Sequence, residues 1–166
     1  MEIIVVLHNI RSTYNVGAIL RTAEGLGISE VICSGYTPWF KKPGLLPHLS
    51  TKLKHQLTKS ALGAEEMVKV TWSEDIIKTL IDLKKQGFQI IGLENNLEQK
   101  SILLDNFKAN TEKAVLILGE EVHGIPKELY PEIDTFLEIP MKGQKESFNV
   151  SVAAGIALYT ISLLKT

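Results

Sequence analysis

The sequence has a single cysteine, Cys33, among its 166 residues, which leaves no disulfide framework and no cysteine-based metal site. Its start lacks the basic region and long apolar run of a signal peptide. The last apolar segment, 148–164, is slightly short for a membrane span and contains polar residues, so we expect a core or subunit-interface helix in a cytoplasmic protein without a membrane partner. We also expect no metal, because metal-ligand spacing is missing from the four histidines: His8, His48, His55 and His123.

Several common nucleotide-binding and catalytic motifs are missing too. No Gly-x-x-x-x-Gly-Lys-Ser/Thr occurs, which excludes a P-loop, and no Gly-x-Gly-x-x-Gly follows a strand-like run. The second absence excludes the usual dinucleotide site and the glycine-rich turn of ordinary Rossmann-type methyltransferases. The absence of Gly-x-Ser-x-Gly argues against an α/β-hydrolase. From length and composition we expect one ordinary globular domain over residues 1–166, and we expect no further RNA-binding domain.

Strand-like and helix-like segments alternate along the chain. Continuous apolar runs such as residues 3–7 indicate strands that are covered on both faces. The pattern predicts an α/β fold with a mainly parallel sheet and helices on both faces. Strands are expected at 3–7, 31–34, 69–72, 88–93, 114–118 and 136–139. Helices are expected at 14–26, at 50–58, from the cap Ser73 to 86, and after Ser147 as N-cap.

Polar and glycine-rich loops follow four of these strands. They cover 9–15, 93–95, 119–124 and 139–149. Ligands of open parallel sheets bind beyond the carboxyl ends of the strands, so these loops predict one convergent site. Ser147 and Asn149 form a polar cluster at the start of an otherwise apolar helix, which suits a ligand site. The alternative is an ordinary N-cap on a buried helix.

Basic residues are concentrated in the first part of the chain. Residues 1–60 carry seven Lys and Arg against three acids, and no acid lies between Lys41 and Lys59. Such a segment can bind phosphates although the whole protein is nearly neutral. Lys52, Lys54 and Lys59 are candidates for RNA phosphate contacts, and the nearby Trp39 and Phe40 for base stacking. The alternatives are a solvated loop for the lysines and core packing for the aromatic rings.

Three groups of residues carry a resemblance to a known family. They are Asn9-x-Arg11-x-x-x-Asn15-x-Gly17-x-x-x-Arg21, then Leu118-Gly119-x-Glu121-x-x-Gly124, then Ile139-Pro140-Met141 with Ser147-x-Asn149-Val150-Ser151-Val152-Ala153. In this order, over nearly the full chain, they resemble the motifs of the SpoU (TrmH-like) branch of the SPOUT RNA methyltransferases. Phe148 stands where the family has Leu, a mild departure at the rim of the cofactor pocket.

The resemblance implies an α/β sheet with a C-terminal trefoil knot, one of the rare exceptions to unknotted topology. It implies S-adenosylmethionine as cofactor, a homodimer, and methylation of a ribose 2′-hydroxyl in tRNA or rRNA. The implied catalytic residues are Arg21, Asn15, Glu121, Ser147 and Asn149. The implied cofactor-binding residues are Leu93, Gly119, Ile139, Met141, Ser147 and Phe148. The RNA-binding candidates are Arg11, Lys52, Lys54 and Lys59.

The catalytic role of Arg21 needs an interpretation, because a free guanidinium stays protonated above pH ~12 and is a poor general base. We expect Arg21 to position a substrate phosphate and to stabilise the developing alkoxide, with the proton acceptor unassigned. Glu121 is expected to pair with Arg21 across the site, and the alternative is that its carboxylate faces solvent. The alternative for Arg21 is an ion pair with Glu24, and for Asn15 and Asn149 it is helix capping.

Two other functions are compatible with the sequence. One is an RNA-binding dimer that has the same fold and no turnover, against which the complete set of motif residues argues. The other is a ligand-binding α/β protein without an RNA partner. The target RNA and nucleotide are open, because the chain starts at its first strand and stops at its last helix, which leaves no further segment expected for docking.

Overall fold

The computed structural model describes residues 1–95, 97 and 100–164. Seven strands form one sheet: β1 (Glu2–His8), β2 (Glu30–Ser34), β3 (Val70–Ser73), β4 (Gln89–Leu93), β5 (Ile102–Leu103), β6 (Lys113–Leu118) and β7 (Thr135–Glu138). The helices are α1 (Thr13–Gly25), α2 (Pro47–Ala61), α3 (Ala64–Met67), α4 (Ile76–Lys85) and α5 (Val150–Ser162), with 3₁₀ helices at Leu104–Asn106 and Lys127–Glu132. The strand order is β3-β2-β1-β6-β4-β7-β5, and every neighbouring pair is parallel.

The core lies on both faces of this sheet. Successive residues of a strand point to opposite faces, and β1 is buried on both. Val5 and Leu7 belong to a cluster with the buried sides of α1, α2 and α5. Ile4 and Val6 belong to a second cluster with α4 and the 3₁₀ helix Lys127–Glu132. The predicted α/β class, with a parallel sheet and helices on both faces, is confirmed.

The predicted element boundaries differ from the observed ones where short-range signals compete. The helical segment expected at 50–58 is the longer α2, which begins at Pro47, a residue suited to a first helical turn. The predicted cap Ser73 is wrong, because Ser73 ends β3 and the side chain of Asp75 accepts from the Lys78 N–H at 3.0 Å. The two-residue β5 has too little sequence pattern to be predicted.

The strand order has a consequence for the C-terminal chain path. β4 and β5 lie on opposite sides of β7, and β5 pairs with the last two residues of β7. The two strands that flank β7 thus both precede it in the sequence. The segment after β7 then leads to α5, which packs beside α1. This order accommodates the trefoil knot, which stays a prediction.

Two further expectations concern the chain as a whole. Among the described residues, every helix is too short or too polar to cross a bilayer. The assignment of 1–166 to a single domain stays a prediction, and Lys165 and Thr166 lie outside the described residues.

Candidate active site

The carboxyl ends of β4, β6 and β7 and the start of α5 surround a cavity of about 630 Å³. Its apolar wall includes Leu93, Leu118, Ile139 and Ala153. Carboxylates, amides and backbone groups form the rest of the lining. The cavity lies where an open parallel sheet is expected to bind its ligand, and its size and mixed lining suit a small organic molecule.

The loop after β6 is closed on itself beside this cavity. The Glu120 N–H donates to the Gly124 carbonyl at 3.0 Å, and the Gly124 N–H donates back to the Glu120 carbonyl at 2.9 Å. Gly124 has φ +69°, and a Cβ there would lie 1.9 Å from Oε2 of Glu94. A Cβ on Gly119 would lie 2.3 Å from the carbonyl carbon of Gly124. Both positions therefore require glycine for this loop to close.

Glu94 and Asn95, directly after β4, connect the other two walls of the cavity. Oε2 of Glu94 accepts from the Ile125 N–H at 2.9 Å. The Asn95 side chain accepts from the Ile139 N–H at 3.2 Å and donates to the Ile139 carbonyl at 3.0 Å. Asn95 also donates to the Glu146 carbonyl at 3.4 Å. Two adjacent side chains thus tie the loops after β6 and β7 to the end of β4.

Glu121 binds the start of α1. Its carboxylate accepts from the Arg11 N–H at 3.0 Å, the Ser12 N–H at 3.1 Å and Nδ2 of Asn15 at 2.9 Å. Burial by itself raises the pKa of Glu121, but the hydrogen bonds from Arg11, Asn15 and Ser12 outweigh it and lower that pKa. The expected pairing of Glu121 with Arg21 is absent from the single chain, since none of the ion pairs among the described residues joins the two side chains.

Asn15 and Asn149 join this cluster to α5. Nδ2 of Asn149 donates to Oδ1 of Asn15 at 3.2 Å. Asn15 does not cap α1, since Ser12 does so by accepting from the Asn15 N–H. Asn149 caps α5 by accepting from the N–H of Ser151 at 2.9 Å and from its hydroxyl at 2.6 Å. The capping alternative therefore holds for Asn149 alone.

Ser147 is not the helix cap that the sequence predicts. α5 begins two residues later, after Asn149, and Ser147 lies in the exposed segment before it. Asn149 has the better placed side chain, because its Oδ1 reaches both polar groups of Ser151. Ser147 nevertheless lines the cavity, together with Leu93, Gly119, Ile139 and Phe148, whereas Met141 is not among its lining residues.

Arg21 lies on the exposed side of α1, outside the cavity lining. It is six residues after Asn15, which corresponds to about 9 Å along the helix axis. Within the described part of the chain, no ion pair joins it to Glu24, so that alternative is not met. Among the described residues, none of the ion pairs includes the Arg21 guanidinium.

The basic segment divides into paired and exposed residues. Nζ of Lys54 lies 2.6 Å from the Glu66 carboxylate, and Lys41 lies 2.9 Å from the same group. Lys52 and Lys59 are exposed on α2. The predicted base stacking by Trp39 and Phe40 is wrong, because both rings are buried in the core and pack against each other. The core-packing alternative is confirmed for these rings.

Sequence reasoning missed the roles of four residues near the cavity: Glu94, Asn95, Glu120 and His123. Their only sequence signal was their position in loops that follow strands. Glu120 accepts from Nδ1 of His123 at 2.9 Å and from the Arg11 guanidinium at 3.4 Å. A strand-end position marks a residue as close to the site, but it does not predict its partner.

The chain is similar to known proteins in both sequence and fold. The family model described as the SpoU rRNA Methylase family matches residues 2–159. A 23S rRNA (guanosine-2'-O-)-methyltransferase RlmB of Xylella fastidiosa is 32% identical over 157 residues, 95% of this chain and 57% of the relative. The TrmH/SpoU tRNA modifying enzyme of A. aeolicus superposes with TM-score 0.78 at 27% identity, over 97% of this chain and 74% of that one.

A structure of an AdoMet-bound rRNA methyltransferase from Sinorhizobium meliloti superposes with TM-score 0.79 at 24% identity, over 99% of this chain and 57% of that one. The chain spans less than two thirds of the length of the curated relatives it matches first, 58% of a Staphylococcus aureus protein among them. The likeness therefore covers nearly all of this chain and only part of those proteins.

Proposed function

The chain belongs to the SpoU rRNA methylase family, and on this premise we propose that it transfers a methyl group from S-adenosylmethionine to a ribose 2′-hydroxyl of RNA. The observation that carries the proposal is the hydrogen-bonded network of Glu121, Asn15 and Asn149 beside the cavity. These residues come from three distant motifs, and each motif alone has other uses. Their meeting at one strand edge supports a common function.

The cavity fits S-adenosylmethionine in size and chemistry. Its volume of about 630 Å³ lies in the range of small-molecule sites, and its apolar wall suits an adenine ring. The tightly closed loop Gly119–Gly124 brings backbone next to the cavity, with no side chain at its two ends. When bound, S-adenosylmethionine supplies an activated methyl group on a sulfonium. We assign its binding to Leu93, Gly119, Ile139, Ser147 and Phe148.

The protein's own contribution to the reaction is alignment and charge stabilisation. The network of Glu121, Asn15 and Asn149 holds the starts of α1 and α5 in a fixed relation, so that a ribose can be positioned against the cavity. The lowered pKa of Glu121 makes its carboxylate a weak base, so we do not assign it the hydroxyl proton. Arg21, which stays protonated, would hold a substrate phosphate and stabilise the developing alkoxide.

We further propose that two copies associate through α5. Four apolar side chains spaced three or four residues apart form an exposed stripe along α5 and its C-terminal end: Val152, Ile156, Tyr159 and Leu163, between 37% and 61% accessible. A stripe of this kind on one face of a helix is typical of a protein interface. Arg21 lies outside the cavity of its own chain. We propose that in the dimer it acts at the cavity of the second copy.

The RNA partner is supported by the charge of the exposed residues on α2. Lys52 and Lys59 are exposed, α2 contains no acid, and Arg11 lies at the edge of the site. Lys54 is a weaker candidate, because its ammonium is paired with Glu66. We propose phosphate contacts for Lys52 and Lys59, and RNA contact without a phosphate role for Arg11, whose guanidinium is paired with Glu120. The proposed substrate is tRNA or rRNA, and the proposed compartment is the cytoplasm.

The test is a map of methylated nucleotides in RNA from cells that lack this protein, compared with wild type. The proposal predicts the loss of one or a few ribose methyl groups from tRNA or rRNA and their return with the wild-type gene. Return with an Arg21→Ala variant would argue against the role of Arg21. An unchanged map, together with purified protein that retains RNA, would favour an RNA-binding dimer without turnover.

A further inference from the structure

Three side chains of different type surround the carboxylate of Glu120 at the edge of the cavity. Glu120 accepts from Nδ1 of His123 at 2.9 Å and from the Arg11 guanidinium at 3.4 Å. The Tyr36 hydroxyl faces the same carboxylate, and desolvation together with this carboxylate raises the pKa of Tyr36. These residues come from the loops after β1, β2 and β6, which end beside one another in the sheet.

The three attached groups are planar and accessible. The side chains of Arg11 and His123 are 64% and 77% accessible, and Tyr36 is 52% accessible as a residue. The Glu120 side chain that holds them is only 13% accessible. Their polar edges meet at this carboxylate, while more than half of each group stays open to solvent.

The position of Tyr36 is fixed by the backbone around it. Asn9 has φ +61°, and its Oδ1 accepts from the Tyr36 N–H at 3.2 Å. Gly35 has φ +66°, and a Cβ there would lie 1.8 Å from Oδ1 of Asn9. The turn after β2 is therefore locked to the end of β1, which directs Tyr36 towards Glu120.

The position of Glu120 is also fixed by its surroundings. It lies in the closed loop Gly119–Gly124. The hydrogen bond from His123 lowers the pKa of the Glu120 carboxyl group, and Tyr36 lowers it further. Together these effects exceed the opposing effect of burial, which raises that pKa. Glu120 and His123 both line the proposed methyl-donor cavity. Through Glu120 and His123, the three planar groups therefore lie at the edge of this cavity.

We propose that Arg11, Tyr36 and His123 form a stacking platform for a nucleobase of single-stranded RNA next to the methylated nucleotide. The proposal rests on the proposed function, since it takes RNA as the ligand. Every base has a π-face, and aromatic rings and guanidinium planes stack on it with little sequence preference. The charge of Arg11 is offset by Glu120, so the platform binds by stacking and contributes little to the salt dependence of RNA binding.

The experiment compares two probes of equal length and charge. One is a 12-nucleotide oligoadenylate, and the other is the same ribose-phosphate chain with abasic positions, each carrying a fluorophore for anisotropy. The full-length protein should bind the oligoadenylate about 10-fold more tightly, as expected when one or two bases stack. Tyr36→Leu should remove most of this preference, whereas Tyr36→Phe, which keeps the ring, should retain it. The slope of affinity against salt should be the same for all three proteins.

Each outcome decides the proposal. Equal binding of the two probes by the wild type would overturn it, as would an undiminished preference in Tyr36→Leu, or no binding of either probe. Tyr36 is outside the cavity lining, so calorimetry with S-adenosylmethionine should give the wild-type affinity for both variants. That result would show that both variants are folded. A base preference without methyl transfer to any RNA would refute the proposed function alone, and methyl transfer without a base preference would refute the platform alone.

Discussion

Replacing Asn95 by alanine tests whether the loops after β4 and β7 must be tied together for the cavity to bind its ligand. The substitution removes the bonds of 3.2 Å and 3.0 Å to the backbone of Ile139 and the longer one of 3.4 Å to Glu146. At about 1 kcal/mol for each of the two shorter bonds, the closed arrangement loses about 2 kcal/mol. Since about 1.4 kcal/mol is a factor of ten, the affinity for S-adenosylmethionine should fall by up to about 30-fold.

The assay is calorimetric titration of the purified variant with S-adenosylmethionine. Asn106→Ala is the matched control, because Asn106 is exposed on the 3₁₀ helix Leu104–Asn106 and its side chain makes no hydrogen bond among the described residues. The control should keep the wild-type affinity. Asn95→Asp should lie between the two, because it keeps the acceptor for the Ile139 N–H and loses both donated bonds. Wild-type affinity in Asn95→Ala would refute the reasoning that Asn95 holds the cavity together.

Four further predictions follow from the same structure. Arg21→Lys should lower kcat at least about 10-fold and leave the affinity for S-adenosylmethionine unchanged, because lysine cannot reproduce a bidentate contact; near-normal turnover would contradict this role. Val152→Asp should convert a dimer to a monomer in sedimentation experiments, whereas Lys78→Asp on the exposed side of α4 should not. Glu121→Gln should lower the free energy of unfolding by about 1 kcal/mol at pH 7. Because the folded-state pKa of Glu121 is depressed, this difference should be full above the unfolded value of about 4.5 and vanish as pH falls through the folded pKa, as denaturant titrations would measure. Burial raises the pKa of Cys33 to about 12, so the thiol should react with a disulfide reagent at pH 8 only when the protein unfolds; rapid labelling of the folded protein would contradict its burial.

The parallel sheet could be predicted because its central strands carry strong local patterns. β1 and β6 are apolar runs buried on both faces, and their predicted boundaries lie within one residue of the observed ones. The convergence of Asn15, Glu121 and Asn149 also follows from sequence, since loops after neighbouring parallel strands share one edge. The motif residues and their strand-end positions were therefore sufficient to predict that these three side chains meet.

The partners of individual side chains could not be predicted, because they depend on distances between elements that are far apart in sequence. Ser147 and Asn149 are both good helix caps, and only the start of α5 decides between them. The pairing of Lys54 with Glu66 depends on the angle between α2 and α3. Trp39 lies in a loop whose composition indicates exposure, yet the ring is 2% accessible because the loop folds back onto the core.

The central claim is that the protein methylates a ribose of RNA, and the most direct measurement is chemical analysis of the product. Purified protein would be incubated with labelled S-adenosylmethionine and total RNA from cells that lack it, followed by digestion to nucleosides and mass spectrometry. If the protein methylates a ribose of RNA, the label will be found in 2′-O-methylated nucleosides, and it will be strongly reduced with Arg21→Ala. Label on a base, or no label in RNA from a protein that binds S-adenosylmethionine, would contradict it.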